Sequence, residues 1–418
     1  MPLDNPAVFN EFLKGVTAAT LAWVSDSDGT LSHHHGDRYA VKPTPEIASF
    51  FDYAQDKLGA RLQVLTGRDY STLAKIIWAN AGTHTPPQFA GCEHGIMVVE
   101  NGKETGSILN EALASACIPY LQQKKLAIAS WAATEISSLN TYYPGLNLQL
   151  NDILENEKQS SFSIHLRKLR DIFINYFKLT MTAETSAVEV EAERIISSKK
   201  EEYRKFLQDA YINSSPIFSL IEGGVTKDAP AFQIVEDTYT FEFKFHLQIA
   251  SKYLGTLAML KRMGLTEVDK PYSLIISYDD PAGTDGDMIK AAREWQAEDP
   301  TNRKLLCILV LRDRSHENTE IAARITTKMA ETGLNLSADV TVANPTELGQ
   351  LIFSAVAQKL FGIDLRTLVE KSSGREWHYA ALHSRGSVKH RLEDALSESE
   401  HRTAIPGVAC GGAGSGAS

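Results

Sequence analysis

Cysteine is scarce in this sequence: Cys92, Cys117, Cys307 and Cys410 are the only four in 418 residues, and no two stand close together. That scatter supplies neither a zinc-binding pair nor a disulfide framework, and it fits a reducing compartment. A basic excess is lacking too. There are 42 Lys and Arg against 52 Asp and Glu, a net charge of −10, which argues against nucleic-acid and anionic-membrane partners, since both recruit basic patches. No apolar run approaches the roughly 20 residues of a membrane helix, and no charged-then-apolar leader opens the chain. The expectation is a cytoplasmic protein with a small-molecule partner; an effector exported through an unrecognised signal would read the same way. Apolar content of 43% with 22% charged residues is ordinary for a globular protein. The length suits one large domain carrying an insertion, or two domains.

What is present is a rhythm of buried strands and amphipathic helices. The run Ala18–Trp23 leads into Val24-Ser25-Asp26-Ser27-Asp28-Gly29-Thr30-Leu31, a buried strand that ends abruptly in carboxylates and a glycine. Thr44-Pro45 predicts a helix start, with Gly59 as its stop. A strand over 61–65 follows, then a helix over 71–81 and a strand over 88–91, so a parallel βαβ core is implied. From 97 to 240 the spacing turns irregular, with strands expected at 96–100, 146–150 and 162–166 and helices at 165–178 and 186–212. This block reads as an inserted α+β module. The βα rhythm resumes with a strand at 240–245, a helix at 250–263, strands at 272–277, 305–311 and 340–342, and helices at 285–296, 317–331 and 345–361. The expected fold is therefore α/β, with a Rossmann-like parallel core over 1–96 and 241–365, a cap over 97–240, and a polar tail over 366–418. The small-residue end, Gly411 to Ser418, cannot bury enough apolar area to order itself.

The candidate chemistry sits at strand ends. On a continuing strand Asp26 and Asp28 face one side, and Gly29 lets the chain turn. Such a pair calls for a cation, and carboxylates favour magnesium. One acid can then attack phosphorus while the other protonates the leaving oxygen. A surface turn, an N-cap cluster and a calcium loop compete for the same residues, the last weakened by Leu31 at the sixth position, where the sharp turn needs glycine. Thr66-Gly67-Arg68 offers a hydroxyl, an amide and a guanidinium suited to phosphate oxygens, or else forms a plain strand-helix turn. Lys252 opens a helix, where an ammonium is either a phosphate partner or a solvated surface group. Tyr278-Asp279-Asp280, with Asp285 and Asp287 beyond, ends another strand in acids. Ligands of open α/β sheets bind outside the carboxyl ends of the strands, and that shared placement ties these features together. His33-His34-His35 reads as a polar loop near the mouth of the site, because consecutive histidines on an extended chain point to opposite sides. The segment 375–402 reads as a frayed tail or an amphipathic docking element.

Taken together, Asp26-x-Asp28-Gly29-Thr30, Thr66 with Gly67-Arg68, Lys252 and Asp279-Asp280 resemble the four motifs of the haloacid-dehalogenase-like phosphatases. Within that superfamily the chain is most similar to the trehalose-6-phosphate phosphatase family, over about residues 18–360. Leu65-Thr66-Gly67-Arg68 resembles its Ser-Gly-Arg segment, and Gly91-Cys92-Glu93-His94-Gly95 its Gly-x-His-Gly segment. Glu157-Lys158 and His165-Leu166-Arg167 are similar to its sugar-contacting strands. Glu242-Phe243-Lys244, then Ser251-Lys252, resembles its approach to the third motif. The chain departs from that pattern: one extra residue precedes His94, Met97 stands where a glutamate is usual, Glu157 adjoins Lys158, and Ser277-Tyr278 replaces the glycine before the acid pair. Two extra residues also separate Asp280 from Thr284.

The resemblance implies a magnesium-dependent sugar-phosphate phosphatase acting on trehalose 6-phosphate through an aspartyl-phosphate. Asp26 would be nucleophile and Asp28 general acid, with Thr66 and Lys252 on the phosphoryl oxygens. Mg2+ would lie among Asp26, Asp28, Asp279 and Asp280, with Asp285 or Asp287 as alternatives to Asp280. Arg68, His94, Glu157, Lys158, His165, Arg167, Glu242 and Lys244 would contact the sugar phosphate. Other expectations consistent with the residues are a phosphatase for sucrose phosphate, a glucosylglycerol or glycerate phosphate, or a phosphoprotein, and a lapsed phosphatase that only binds.

Overall fold

Short strands, fully buried at the middle of the sheet, build the main layer of the molecule together with amphipathic helices. The computed structural model describes residues 4–33, 41–82, 84–109, 111–156, 158–181, 184–222, 225–237, 239–267, 269–311 and 315–369. The chain divides into Met1–Leu365 and Arg366–Ser418; most of the second unit, with 375–402 and the small-residue end, lies outside the described residues, as do His34, His35 and Glu157.

Helix α1 (Pro6–Leu13) precedes β1 (Leu21–Ser25), and α2 (Pro45–Leu58) leads to β2 (Leu62–Leu65). Helix α3 (Tyr70–Thr72), prolonged by a π-turn, precedes β3 (Ala90–Cys92), β4 (Met97–Glu100) and β5 (Lys103–Ser107). Next come α4 (Glu111–Tyr142), β6 (Leu154–Glu155), β7 (Ser161–His165), α5 (Leu166–Thr180) and α6 (Thr185–Leu207). Strands β8 (Ile217–Glu222), β9 (Val225–Pro230), β10 (Phe232–Asp237) and β11 (Thr240–Phe245) close this block. Then follow α7 (Lys252–Arg262), β12 (Tyr272–Tyr278), α8 (Asp285–Glu298), β13 (Arg303–Val310), α9 (Ser315–Thr332) and β14 (Val340–Val342). Helix α10 (Pro345–Glu347) runs through a π-turn into α11 (Ser354–Phe361).

The main sheet has the order β14-β13-β12-β1-β2-β3-β4-β5. It is parallel from β14 to β3, and β4 and β5 join antiparallel at one edge. Strand β1 is buried at all five positions, as a central strand covered on both faces must be. Its residue Trp23 stacks on Phe353 at 4.0 Å and donates to Ser277 Oγ at 3.0 Å, and Ser277 in turn reaches Ser25 Oγ at 2.7 Å. Ser277 is thus tied into a buried polar chain with Trp23 and Ser25.

The second layer is a four-stranded antiparallel sheet, β10-β11-β7-β6. Alternation sends Phe162, Ile164, Phe232, Phe241, Phe243 and Phe245 into a core shared with residues of α4, α5 and α6. Ser161, Ser163, Glu242 and Lys244 fall in register on the opposite face.

Strand pairing corrects three expectations. The strand at 240–245 is not part of the parallel core but a central strand of the cap sheet, while β4 and β5, expected in the cap, belong to the main sheet. The stretch 146–150 forms no strand; Leu150 begins a 3-10 turn instead. Helix α4 was not anticipated at all. Its buried stripe, from Cys117 through Leu121, Ile128, Ala132 and Ile136 to Leu139, is broken in sequence by Pro119 and by Leu126, an apolar side chain left 77% exposed.

Candidate active site

The carboxyl ends of β1, β2 and β12 lie side by side because β1 pairs with both neighbours in parallel. Asp26 continues β1, its N–H donating to Ser277 O at 2.9 Å. Asp279 continues β12 and Thr66 continues β2. Lys252 arrives from the other direction, as the first residue of α7, whose N-cap Ser251 accepts from Leu254 N. That helix packs very close to the loop after β3: a Cβ on Gly95, which has φ +90°, would lie 2.6 Å from the Gly255 Cα. Glycine at both positions lets the helix start reach the sheet.

Lys252 Nζ bonds Asp26 Oδ1 and Asp285 Oδ1, each at 2.6 Å. It is only 4% exposed, which removes the solvated-surface reading. Asp285 Oδ2 accepts from the backbone N–H of Asp279 at 3.3 Å and of Asp280 at 3.1 Å. The carboxylates of Asp26, Asp279 and Asp285 offer oxygens within 4.8 Å of one another, all buried. Asp280 points elsewhere, accepting from Gly283 N at 3.1 Å and from Arg324. Asp28 is held by Arg68, whose Nε donates to both carboxylate oxygens at 2.7 and 3.0 Å. Thr66 is buried, and its Oγ1 accepts from Arg68 N at 3.2 Å.

Charge in this cluster is unbalanced. Burial, against the pull of Lys252 and with help from Asp285, Asp279 and Asp28, drives the Asp26 carboxyl well above the usual range. Burial alone would depress the Lys252 ammonium, yet Asp26 and Asp285 hold it above its ordinary value. One ammonium thus serves both Asp26 and Asp285, and a further cation beside these acids would favour their ionised forms. An all-oxygen, carboxylate donor set of this kind fits magnesium, with Asp26, Asp279 and Asp285 to hold it.

Across a cleft stands the polar face of the cap. His94, Lys158, Glu242, Lys244, Lys252 and Asp287 are among the lining residues. Glu242 bonds Lys158 at 3.2 Å and Lys244 at 3.0 Å. Burial would raise its carboxyl, but the two lysines and His94 hold it down at about 2. His94 packs on Gly67, where a Cβ would meet its ring at 2.8 Å, and its Nδ1 has no partner among the described residues. Burial, then the charges of Lys252 and Lys244, lower it to about 3, so the ring is neutral. The cleft has a volume of about 20 Å³, room for a water or two.

The structure gathers Asp26, Asp28, Thr66, Arg68, Lys252 and Asp279 at the strand ends and His94, Lys158, Glu242 and Lys244 around the cleft. It does not bring His165 or Arg167 there. His165 lies at the far end of β7 with Glu155 Oε2 at 2.8 Å, and Arg167 is exposed on α5 with its guanidinium 5.7 Å from the centre of the Tyr239 ring. Glu93 and Ser160, which also line the cleft, went unmarked in the sequence. The one signal available was Glu93 preceding His94 at a strand end. No helix among the described residues is long and apolar enough to cross a membrane.

Sheet and site together define an α/β protein with an acid cluster at the carboxyl ends of a mostly parallel sheet and an inserted cap above it. No family model matches the chain, and no curated protein matches it. Among solved structures, the C-terminal domain of C. albicans trehalose-6-phosphate phosphatase is similar over 85% of this chain and 97% of its own, at 16% identity and a TM-score of 0.45. The sucrose-phosphatase of Synechocystis sp. PCC6803 is similar over 81% of this chain and 98% of its own, at 12% identity and 0.35. A haloacid dehalogenase-like hydrolase protein of Bacillus subtilis, yhjK, is similar over 78% and 99%, at 13% identity and 0.29.

Proposed function

We propose that this chain is a magnesium-dependent sugar-phosphate phosphatase, with trehalose 6-phosphate as its first candidate substrate. The observation that carries the reading is the buried group Asp26, Lys252, Asp279 and Asp285, facing a cap surface of Lys158, Glu242 and Lys244 across one cleft. A bound magnesium ion would supply positive charge to the Asp26 carboxylate and to the phosphoryl oxygens.

The remaining work belongs to the chain. Asp26 Oδ attacks phosphorus and the bond from phosphorus to the sugar oxygen breaks, with a proton from Asp28 passing to that oxygen. Water then attacks the aspartyl-phosphate and gives a proton back to Asp28, freeing Asp26 and inorganic phosphate. Asp28 is held in the meantime by Arg68, so entry of the phosphoryl group must loosen that pair. Thr66 Oγ1 and Lys252 Nζ contact the non-reacting oxygens. On the cap, a carboxylate between two ammonium groups offers acceptors and donors to sugar hydroxyls, and closure excludes water from the site.

A second reading keeps the chemistry and changes the sugar, to sucrose phosphate or a glucosylglycerol or glycerate phosphate. It is favoured by His165 and Arg167 standing away from the cleft. The test is phosphate release from a panel of sugar phosphates with and without magnesium, beside Asp26→Asn. Release that needs magnesium and vanishes in the variant is expected; a flat response across sugars would count against trehalose 6-phosphate.

A further inference from the structure

Glu93 is a buried carboxylate that the proposed chemistry leaves unused. It is 1% exposed, and it belongs to the core, in the turn between β3 and β4. Its partners belong to the cap. Glu93 Oε1 accepts from the Gln159 N–H at 2.7 Å and Oε2 from the Ser160 N–H at 2.5 Å. The Ser160 hydroxyl donates to Oε2 as well. Three donors on a carboxylate inside the protein form a charge-assisted set, the strong kind of hydrogen bond.

The backbone around Glu93 is unusual for a reason that points the same way. Glu93 and His94 both have positive φ, 53° and 63°, a conformation that side-chain-bearing residues rarely adopt. In that conformation the Glu93 N–H donates to Arg68 O and the His94 N–H to Thr66 O, each at 2.8 Å. The same two residues therefore fasten the loop bearing Thr66 and Arg68 on one side and the cap on the other. From the cap side Lys125 of α4 donates to Lys158 O, and Lys158 Nζ reaches Glu242. The segment 158–160 is gripped between core and cap helix just where it presents Lys158 to the cleft.

We infer that Glu93 is a positioning residue that clamps the cap segment 158–160 to the phosphate-side loop and so sets the closed position of the cap. The role in turnover rests on the reading of the cleft as a sugar-phosphate site; the clamp itself does not. A variant that loses the clamp weakens the hold on the sugar and leaves the reacting atoms in place.

Glu93→Gln puts an amide N–H₂ against backbone donors, and Ser160→Ala removes the hydroxyl donor with less risk to folding. Exchange of the Gln159 and Ser160 amides with deuterium, measured on the full chain, should quicken by about tenfold or more in Glu93→Gln, the worth of one charge-assisted bond. Ser160→Ala should shift it in the same direction by less. In turnover, kcat/KM for the best sugar phosphate should fall by about tenfold, mainly through KM, and Glu93→Asp should recover part of the loss. Hydrolysis of p-nitrophenyl phosphate, which has no sugar for the cap to hold, should stay within about twofold. Unchanged exchange at 159–160 in both Glu93→Gln and Ser160→Ala overturns the clamp, whatever the chain hydrolyses. Equal losses on both substrates, with exchange raised throughout the chain, reduce Glu93 to a fold-stabilising residue and overturn it too. If the wild type hydrolyses nothing while exchange rises only at 159–160, the phosphatase reading fails and the clamp stands.

Discussion

The core half of the cleft and the cap half are built from opposite charge and by opposite logic. On the core side Asp26 and Asp285 share one ammonium, that of Lys252, with Asp279 close beside them; on the cap side two ammonium groups share one carboxylate, Glu242. The core acids stand where parallel strands end, so their position is dictated by register. The cap groups stand on one face of an antiparallel sheet whose other face is aromatic core. Under the proposed function the core half would take a cation and the phosphoryl group, and the cap half the sugar. The difference teaches that reaction and recognition can be broken separately.

The largest effect belongs to Asp26→Asn, which should abolish phosphate release while circular dichroism and melting stay native-like. Turnover surviving that change would sink the nucleophile assignment. Lys252→Ala comes next. It leaves Asp26 and Asp285 buried without their shared partner, a loss of about 3–5 kcal/mol by the cost of breaking a buried pair, read from denaturant unfolding in the presence of chelator. Magnesium should restore part of it, because a cation fitting the acids replaces the missing charge.

Glu242→Gln acts on the other half. It should raise KM for the sugar phosphate by about tenfold, one hydrogen bond to a charged group, with kcat much less affected; a fall in kcat at constant KM would merge the two halves. The smallest effect is electrostatic. His94 has an ordinary pKa of 6.5, lowered to about 3 in the folded chain, so between those values the unfolded chain binds a proton that the folded one refuses. Its stabilising share is full above about pH 6.5 and is lost as pH falls toward 3. Unfolding midpoints measured from pH 7 to pH 4 should decline less steeply in His94→Gln.

These halves were also unequally legible in the sequence. Asp26, Thr66 and Asp279 could be read because each follows an apolar strand run directly, and strands of one parallel sheet end together. Asp285 was visible only as one acid of several; its place depends on α8 starting where it does, with the Asp279 and Asp280 N–H groups turned onto its carboxylate. The cap resisted reading because β11 alternates apolar and polar residues in a way any half-buried strand would, and nothing in Thr240–Phe245 says which sheet it joins. Helix α4 hid behind Pro119 and an exposed Leu126. Glu93 was hard to read, since its partners, two backbone amides and the Ser160 hydroxyl, lie 66 and 67 positions further on and backbone donors carry no sequence signal.

The placement of β11 in the cap sheet has a mechanical side. That strand carries Glu242 and Lys244 on its cleft face, and after the short connection 246–251 the same chain becomes the helix headed by Lys252. Under the proposed function, the groups that meet the sugar and the ammonium that meets the phosphoryl group are thus joined by one short stretch of chain. The Gly95 and Gly255 contact holds the helix end of that stretch against the loop after β3. Lengthening the connection by inserted residues would loosen that link without touching a group at either end.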